Sequence, residues 1–298
     1  MQDKIIKVGF CVAYDWELLK KSVPRIYDHA DIICLSLDKN RKSWSGNTFV
    51  FDSQAFYAWV HAIDKNEKIT ILEEDFYQEG LQPIQNDNHQ RKAMAAFLGK
   101  GGWHIQIDSD EYFFDFSSFK NYLLAINSNP TGEEKAINIC CNWISLFKQT
   151  KTGFLFVHNR PDEYETMPFA TNVPEYLNAR HNSHFNHISP FFVLHETWAR
   201  GEDQLWEKIN SWGHDKDFLS KESYFSLWKC LDEYNYNYVK NIHPLKSTVW
   251  QALEYVPRIE VDEVIDWLKK SGLLKLNWLS LRIQNNRIVQ GLRQRLGY

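Results

Sequence analysis

The chain has 298 residues, 44% of them hydrophobic and 24% charged, with a formal net charge of −4 at pH 7. This is a globular composition, long enough for one large domain or two small ones around a substantial core. No apolar run reaches the roughly 20 residues needed to span a membrane, and no nucleic-acid partner is expected from so acidic a balance.

Aromatic residues make up 15% of the chain, with 12 Trp and 14 Tyr. Their flat apolar faces and polar edges suit stacking on sugars or bases, although most belong to the core. Five cysteines, Cys11, Cys34, Cys140, Cys141 and Cys230, form no Cys-x-x-Cys pair and read as reduced, buried thiols of a reducing compartment. Gln2, Asp3, Lys4 and Lys7 interrupt any apolar signal segment, so a cytoplasmic location is expected. Charge is uneven along the chain. Seven of the 34 Lys and Arg follow Asp266 and no acid does, so the other 27 bases stand against all 38 acids, a balance of −11. A basic tail on an acidic body suggests a separate partner for the tail.

In chain order, residues 4–12 are apolar at Ile5, Ile6, Val8, Phe10 and Val12 and predict a strand. It runs into the turn Ala13-Tyr14-Asp15, with Asp15 placed to cap a helix over 16–22 that ends before Pro24. A second strand over 31–37 stops at Asp38. A helix over 53–64 has its apolar face at Phe56, Trp59, Val60 and Ile63, and a third strand covers 68–72. Pro83 opens a helix over 83–99. Its second half carries a core face at Met94, Phe97 and Leu98, while Asn86, Asp87, Asn88, His89, Gln90 and Arg91 make its start polar and put that end near solvent or ligand. Gly99, Gly101 and Gly102 turn the chain into Trp103-His-Ile-Gln-Ile, a strand that stops at three acids, Asp108, Asp110 and Glu111.

Strand-helix repeats of this kind predict a parallel sheet, and ligands bind beyond the carboxyl ends of such strands. Two aspartates separated by one residue can both reach one hard divalent ion, which prefers oxygen ligands together with substrate phosphates. The plain alternative is an acidic turn in which Asp110 or Ser117 caps a helix starting near Ser118.

A strand ending in Asp108-Ser-Asp110, preceded by a helix carrying Asn86, Asn88 and Arg91, resembles the A-type fold of glycosyltransferases, in particular family 2-like enzymes. The resemblance implies an α/β, Rossmann-like, mostly parallel sheet with helices on both faces, and a metal held by Asp108 and Asp110 with the ribose and diphosphate of a nucleotide-sugar donor. It further implies nucleobase and ribose contacts from Tyr14, Asp15 and Asp38, and a supporting role for Arg91 beneath the acidic loop. As alternatives, Asp38 opens a charged loop and Arg91 is a surface arginine.

Beyond residue 115 the pattern changes. Residues 136–147 and 153–158 predict antiparallel strands joined at Gln149-Thr-Lys-Thr-Gly153. Residues 159–190 show little periodicity but hold Asp162, Glu163, Glu165, Glu175, Arg180, His181, His184 and His187, the expected acceptor-recognition segment. A strand over 190–194 ends in His195, which the resemblance assigns to the metal; an imidazole tilts the choice to Mn²⁺ over Mg²⁺. Glu202 and Asp203 open a further helix with Leu205, Ile209 and Trp212 inward and Gly213 at its end. There the resemblance offers Arg200, Lys208 and His214 to the diphosphate; as alternatives, the first two are surface bases and His214 is a helix-end histidine. The spacing of His181, His184, His187 and His195 also permits a zinc site.

Together these features predict a catalytic domain over 1–245, split at 115 into nucleotide-binding and acceptor halves, and a basic helical extension over 246–298. The expected activity is metal-dependent, inverting transfer of a sugar to a hydroxyl of a glycan or lipid-linked acceptor, as in bacterial surface polysaccharide synthesis. Glu175 is the expected base among Asp162, Glu163, Glu165 and Glu175. Nucleotidyl transfer would use the same sheet, but no Gly-rich triphosphate loop follows the first strand. A glycan-binding module would leave Asp108, Asp110 and His195 idle. In the tail, Leu274, Trp278, Leu281, Ile288, Leu292 and Leu296 predict one helical stripe flanked by bases, suited to docking on the acidic body or to peripheral contact with the inner face of the cell membrane.

Overall fold

The structure, a computed structural model, describes residues 5–160, 164–211, 218–245 and 249–296. Strands β1 (Ile6–Val12), β2 (Ile32–Asp38), β3 (Ile69–Glu74) and β4 (Trp103–Asp108) lie parallel in the order β4-β1-β2-β3. Every residue of β1 is buried, as expected of a strand covered on both faces. Ile6, Val8, Phe10 and Val12 pack against α1 (Leu19–Ile26), α2 (Ser53–Ile63) and α4 (Phe116–Ile126). The opposite face receives α3 (Pro83–Leu98), whose Met94 and Leu98 pack on Cys11 and Cys34. A Cβ on Gly9 would sit 2.5 Å from the Met94 sulfur, so the absent side chain sets how closely α3 approaches. The predicted doubly wound half is therefore present, with helices on both faces.

Some local expectations fail for identifiable reasons. A 3₁₀ turn at Trp16–Leu18 feeds α1, which continues through Pro24 to Ile26. The missing proline N–H forfeits one helical bond, and burial of Val23 and Ile26 compensates. Asp15 makes no capping hydrogen bond, because its carboxylate pairs with Arg200 at 2.9 Å. Asp115, not Asp110 or Ser117, caps α4 by accepting from the Ser118 N–H at 2.9 Å.

The rest of the ten-stranded sheet is mixed, not mostly parallel. Strands β6 (Ile137–Gln149) and β7 (Phe154–His158) form the predicted antiparallel pair. Unpredicted β8 (Thr166–Thr171) fits antiparallel between β4 and β6. Its signal was hidden by Pro168, which sits where the β6 register shifts, a position that tolerates proline. Strand β9 (Phe185–His195) runs parallel to β6 and antiparallel to the short β5 (Glu111–Phe113).

Helices α5 (Glu202–Ser211) and α6 (Lys221–Cys230) follow, with Leu205 and Ile209 buried as predicted; Trp212 and Gly213 lie outside the described residues. The described residues of the predicted helical extension, 249–296, are not all helical. Strand β10 (Ala252–Val256) pairs with β7, and α7 (Val261–Ser271) buries Val261, Val264, Ile265 and Leu268 beside Tyr112 and Ile144. The tail is not one stripe either. It breaks at Asn285 and Asn286 into α8 (Trp278–Gln284) and α9 (Arg287–Leu296). Four of the five thiols are buried and Cys230 is exposed; none forms a disulfide. Among the described residues no helix is long and apolar enough to cross a membrane.

Candidate functional site

Asp108 and Asp110 at the end of β4 face a cavity of about 450 Å³, bounded by the loops after β1 and β2, the start of α3, and residues of β6, β8 and β9. Register explains why the two halves of the chain meet here. Glu111 lies opposite His195 across β5 and β9, and the Glu196 N–H donates to the Asp110 carbonyl at 2.8 Å. The acidic turn and the end of β9 are thus joined by backbone.

Asp108 is held from below. Arg91, 2% exposed, donates to Asp87 Oδ1 at 2.6 Å, Gln106 Oε1 at 3.2 Å and Asp108 Oδ1 at 2.9 Å. A planar fork fixed on three acceptors is a support for the loop, and the surface alternative falls away. Burial alone would raise the Asp108 carboxyl; the charges of Arg91 and Arg180 bring it below its usual range. The polar start of α3 does face the cavity through Asp87, Gln90 and Arg91. Of the six polar residues over 86–91 only His89 is exposed to solvent. Gln90 accepts from Trp44 Nε1 and donates to the Ser36 carbonyl, and Asn86 ties the Trp44 carbonyl to the Gln78 N–H.

Arg180 was expected to meet the acceptor and instead anchors the acids. It grips Glu111 with two hydrogen bonds of 2.8 and 2.6 Å and stands 3.7 Å from Asp108. Glu111 also accepts the Asp108 N–H at 2.8 Å, so it shapes the turn and is not presented to the cavity. Arg180 is set by a tight turn, Asn178 to His181, in which Ala179 has φ 51°, a left-handed conformation uncommon for a residue with a side chain.

Asp110 is 4% exposed. Its Oδ2 accepts from Arg200 at 2.5 Å and from Lys208 at 2.7 Å, while its Oδ1 lies 3.6 Å from His195 Nε2. Burial would raise this carboxyl, but Lys208, His195 and Arg200 hold it well below the usual range. Arg200 also joins Asp15 to the cluster. Trp143 stacks on His195 at 4.4 Å and fixes the ring, whose Nδ1 is buried without a hydrogen-bond partner. Burial holds the His195 pKa at about 4, so the imidazole is neutral at pH 7 and keeps a lone pair.

Asp110 Oδ1 and His195 Nε2 are therefore the two donors that suit a shared divalent ion, with Asp108 beside them. Among the described residues no three His, Cys, Asp or Glu side chains are gathered to cage one. The donor set fits Mn²⁺ or Mg²⁺ bound partly through substrate phosphates and water, the usual mode for these ions. It does not fit a closed zinc site: His187 bonds Tyr122 at 2.6 Å and His184 bonds Glu175 at 3.1 Å, away from His195.

Other predicted residues divide. Tyr14, Asp15, Asp38 and Lys208 line the cavity. Asp38 does so with both oxygens engaged, Oδ1 by the Asn40 and Lys42 N–H groups and Oδ2 by those of Phe76 and Tyr77. It organises the loops and has no lone pair left for a ribose hydroxyl. Glu175 is exposed and outside the cavity, which corrects its assignment as the base. Glu165 lines the cavity and accepts from Trp250 Nε1 at 3.2 Å. Trp250 itself has φ 56°. Trp143, Trp198 and Trp250, with His243, make that part of the wall aromatic, and nothing in their spacing announced it. His214, Asp162 and Glu163 lie outside the described residues.

No family model matches this chain, and no curated protein matches it either.

Proposed function

We propose that the protein is an A-type glycosyltransferase that moves a sugar from a nucleoside diphosphate sugar to a hydroxyl of a glycan or lipid-linked acceptor. The observation that carries this proposal is the meeting of Asp108 and Asp110 with His195 and Lys208 at the carboxyl end of a central parallel strand, in a cavity of ligand size, with Arg200 pairing Asp110 from behind. The nucleoside takes the wall formed by Tyr14, Trp44 and the loop that Asp38 holds. The diphosphate lies against Lys208, with the positive charge of Arg200 behind it, and this charge favours the leaving group. Asp110 and His195 would hold Mn²⁺ together with donor phosphate oxygens, Asp108 standing beside them, and the ion when bound would supply Lewis-acid stabilisation of the departing diphosphate.

The acceptor takes the aromatic wall of Trp143, Trp198 and Trp250. Its hydroxyl oxygen attacks the anomeric carbon, the bond from that carbon to the diphosphate oxygen breaks, and the hydroxyl proton passes to Glu165. Trp250 orients that carboxylate through its indole N–H. The experiment is a donor screen: UDP- and GDP-sugars incubated with the protein and Mn²⁺, scored by slow release of the nucleoside diphosphate to water. Release from one donor that stops on removing Mn²⁺ supports the proposal. No release from any donor, with glycans alone protecting the protein, favours the glycan-binding module instead.

A further inference from the structure

Helices α8 and α9 dock beside β9. They meet the body through amides. Asn285 accepts from the Ile188 N–H at 2.7 Å and donates to the Ile188 carbonyl at 2.9 Å, and Gln290 bonds both backbone groups of Asn186. Their large apolar side chains point the other way: Trp278 is 66% exposed, Leu279 70%, Ile283 46%, Ile288 74% and Leu292 53%.

Helical geometry puts these residues on continuous faces. At about 100° per residue, Trp278, Arg282, Leu279 and Ile283 span one arc of roughly 140° on α8. The inward arc of α8, with Ser280, Leu281 and Gln284, borders a small cavity under the helix. On α9 the same spacing sets Ile288 and Leu292 on one arc, about 40° apart, while Gln290 turns to the body and Arg287 stacks on Phe185 at 4.2 Å. Arg282 and Arg287 are exposed, as is Lys275; α7, which exposes Lys269 and Lys270, also exposes Asp262, Glu263 and Asp266. No acid follows Asp266.

We propose that the outer face of α8 and α9 binds an anionic lipid surface. Contiguous exposed apolar side chains are rare on a monomeric protein except where something covers them. Here the charged side chain among them is the cation Arg282, which matches the chemistry of a membrane interface: apolar side chains enter the acyl boundary and an arginine snorkels to lipid phosphates. The charge distinguishes this occupant from a second copy of the chain, since the same basic face on both partners would repel. The proposal stands apart from the transfer reaction, and its test uses no activity.

The full-length protein is sedimented with vesicles of phosphatidylcholine alone and of phosphatidylcholine mixed with phosphatidylglycerol, at low and raised salt. Binding to the mixed vesicles that falls with salt is the expected result. Arg282→Glu should weaken that partitioning roughly tenfold or more, because it swings the surface charge by two. Trp278→Ser with Leu279→Ser should abolish it while leaving the melting temperature unchanged, since both side chains are exposed. No sedimentation of the wild type at low salt, or equal binding by the Trp278→Ser and Leu279→Ser variant, would overturn the proposal. So would a wild-type dimer that these substitutions split, which would assign the face to a second copy.

Discussion

Lys208 Nζ stands 2.7 Å from Asp110 Oδ2, and Arg200 Nη2 stands 2.5 Å from the same oxygen. One carboxylate therefore holds two buried cations on one side and faces His195 on the other. Asp110→Asn leaves buried Lys208 without its carboxylate while Arg200 keeps Asp15, so it should cost about 3 to 5 kcal/mol of stability as well as function. Chemical denaturation measures this. His195→Ala is the milder probe, because the ring is neutral and its removal strands no charge; it should abolish Mn²⁺-dependent donor binding with the fold retained.

Arg91 touches Asp87, Gln106 and Asp108 at once. An ammonium cannot reproduce three contacts in one plane, so Arg91→Lys should lower turnover by roughly tenfold to a hundredfold, as for residues that orient metal ligands. Steady-state kinetics at saturating donor tests it, and wild-type turnover would remove Arg91 from the support of the loop.

Glu165 and Glu175 separate the two candidate bases. Glu165→Gln should lower kcat by about 10² to 10⁴, and Glu175→Gln should leave it unchanged, since Glu175 is exposed and bonded to His184. Equal effects of the two substitutions would contradict the assignment.

His104 offers a pH test away from the cavity. It is 2% exposed, and burial holds its pKa at about 4, against 6.5 for the exposed group. Between these values the unfolded chain binds a proton that the native state refuses. Stability from this group is therefore complete above pH 6.5 and is lost as the pH falls to 4, by about 3 kcal/mol in all. His104→Gln should remove that dependence, so its stability relative to wild type should improve by this amount from pH 6.5 to pH 4. A constant difference across the range would refute it.

The parallel half was legible because buried parallel strands are short, continuous apolar runs, and because Asp108 and Asp110 stop one of them at its carboxyl end. Arg91 and His195 could be read from their places on a helix and at a strand end. The partners of Asp110 could not, since Arg200 and Lys208 are about 90 residues away and reach it only after β9 pairs with β5. Glu165 was indistinguishable from Glu175 by sequence: only the pairing of β8 beside β6 carries one to the cavity and leaves the other outside. The tail misled through its own regularity. Its apolar spacing is helical, but Asn285 is used as a docking amide, and the apolar face is turned outward.

The central claim is that a nucleoside diphosphate sugar binds between the β4 acids and His195 with a divalent ion. Thermal unfolding of wild type and of His195→Ala, with UDP- and GDP-sugars in the presence and absence of Mn²⁺, tests it most directly. A ligand at a hundredfold its dissociation constant adds about 2.7 kcal/mol to stability. The predicted result is such stabilisation of the wild type by one donor class only when Mn²⁺ is present, and none in His195→Ala; stabilisation indifferent to both the metal and the substitution would contradict the account.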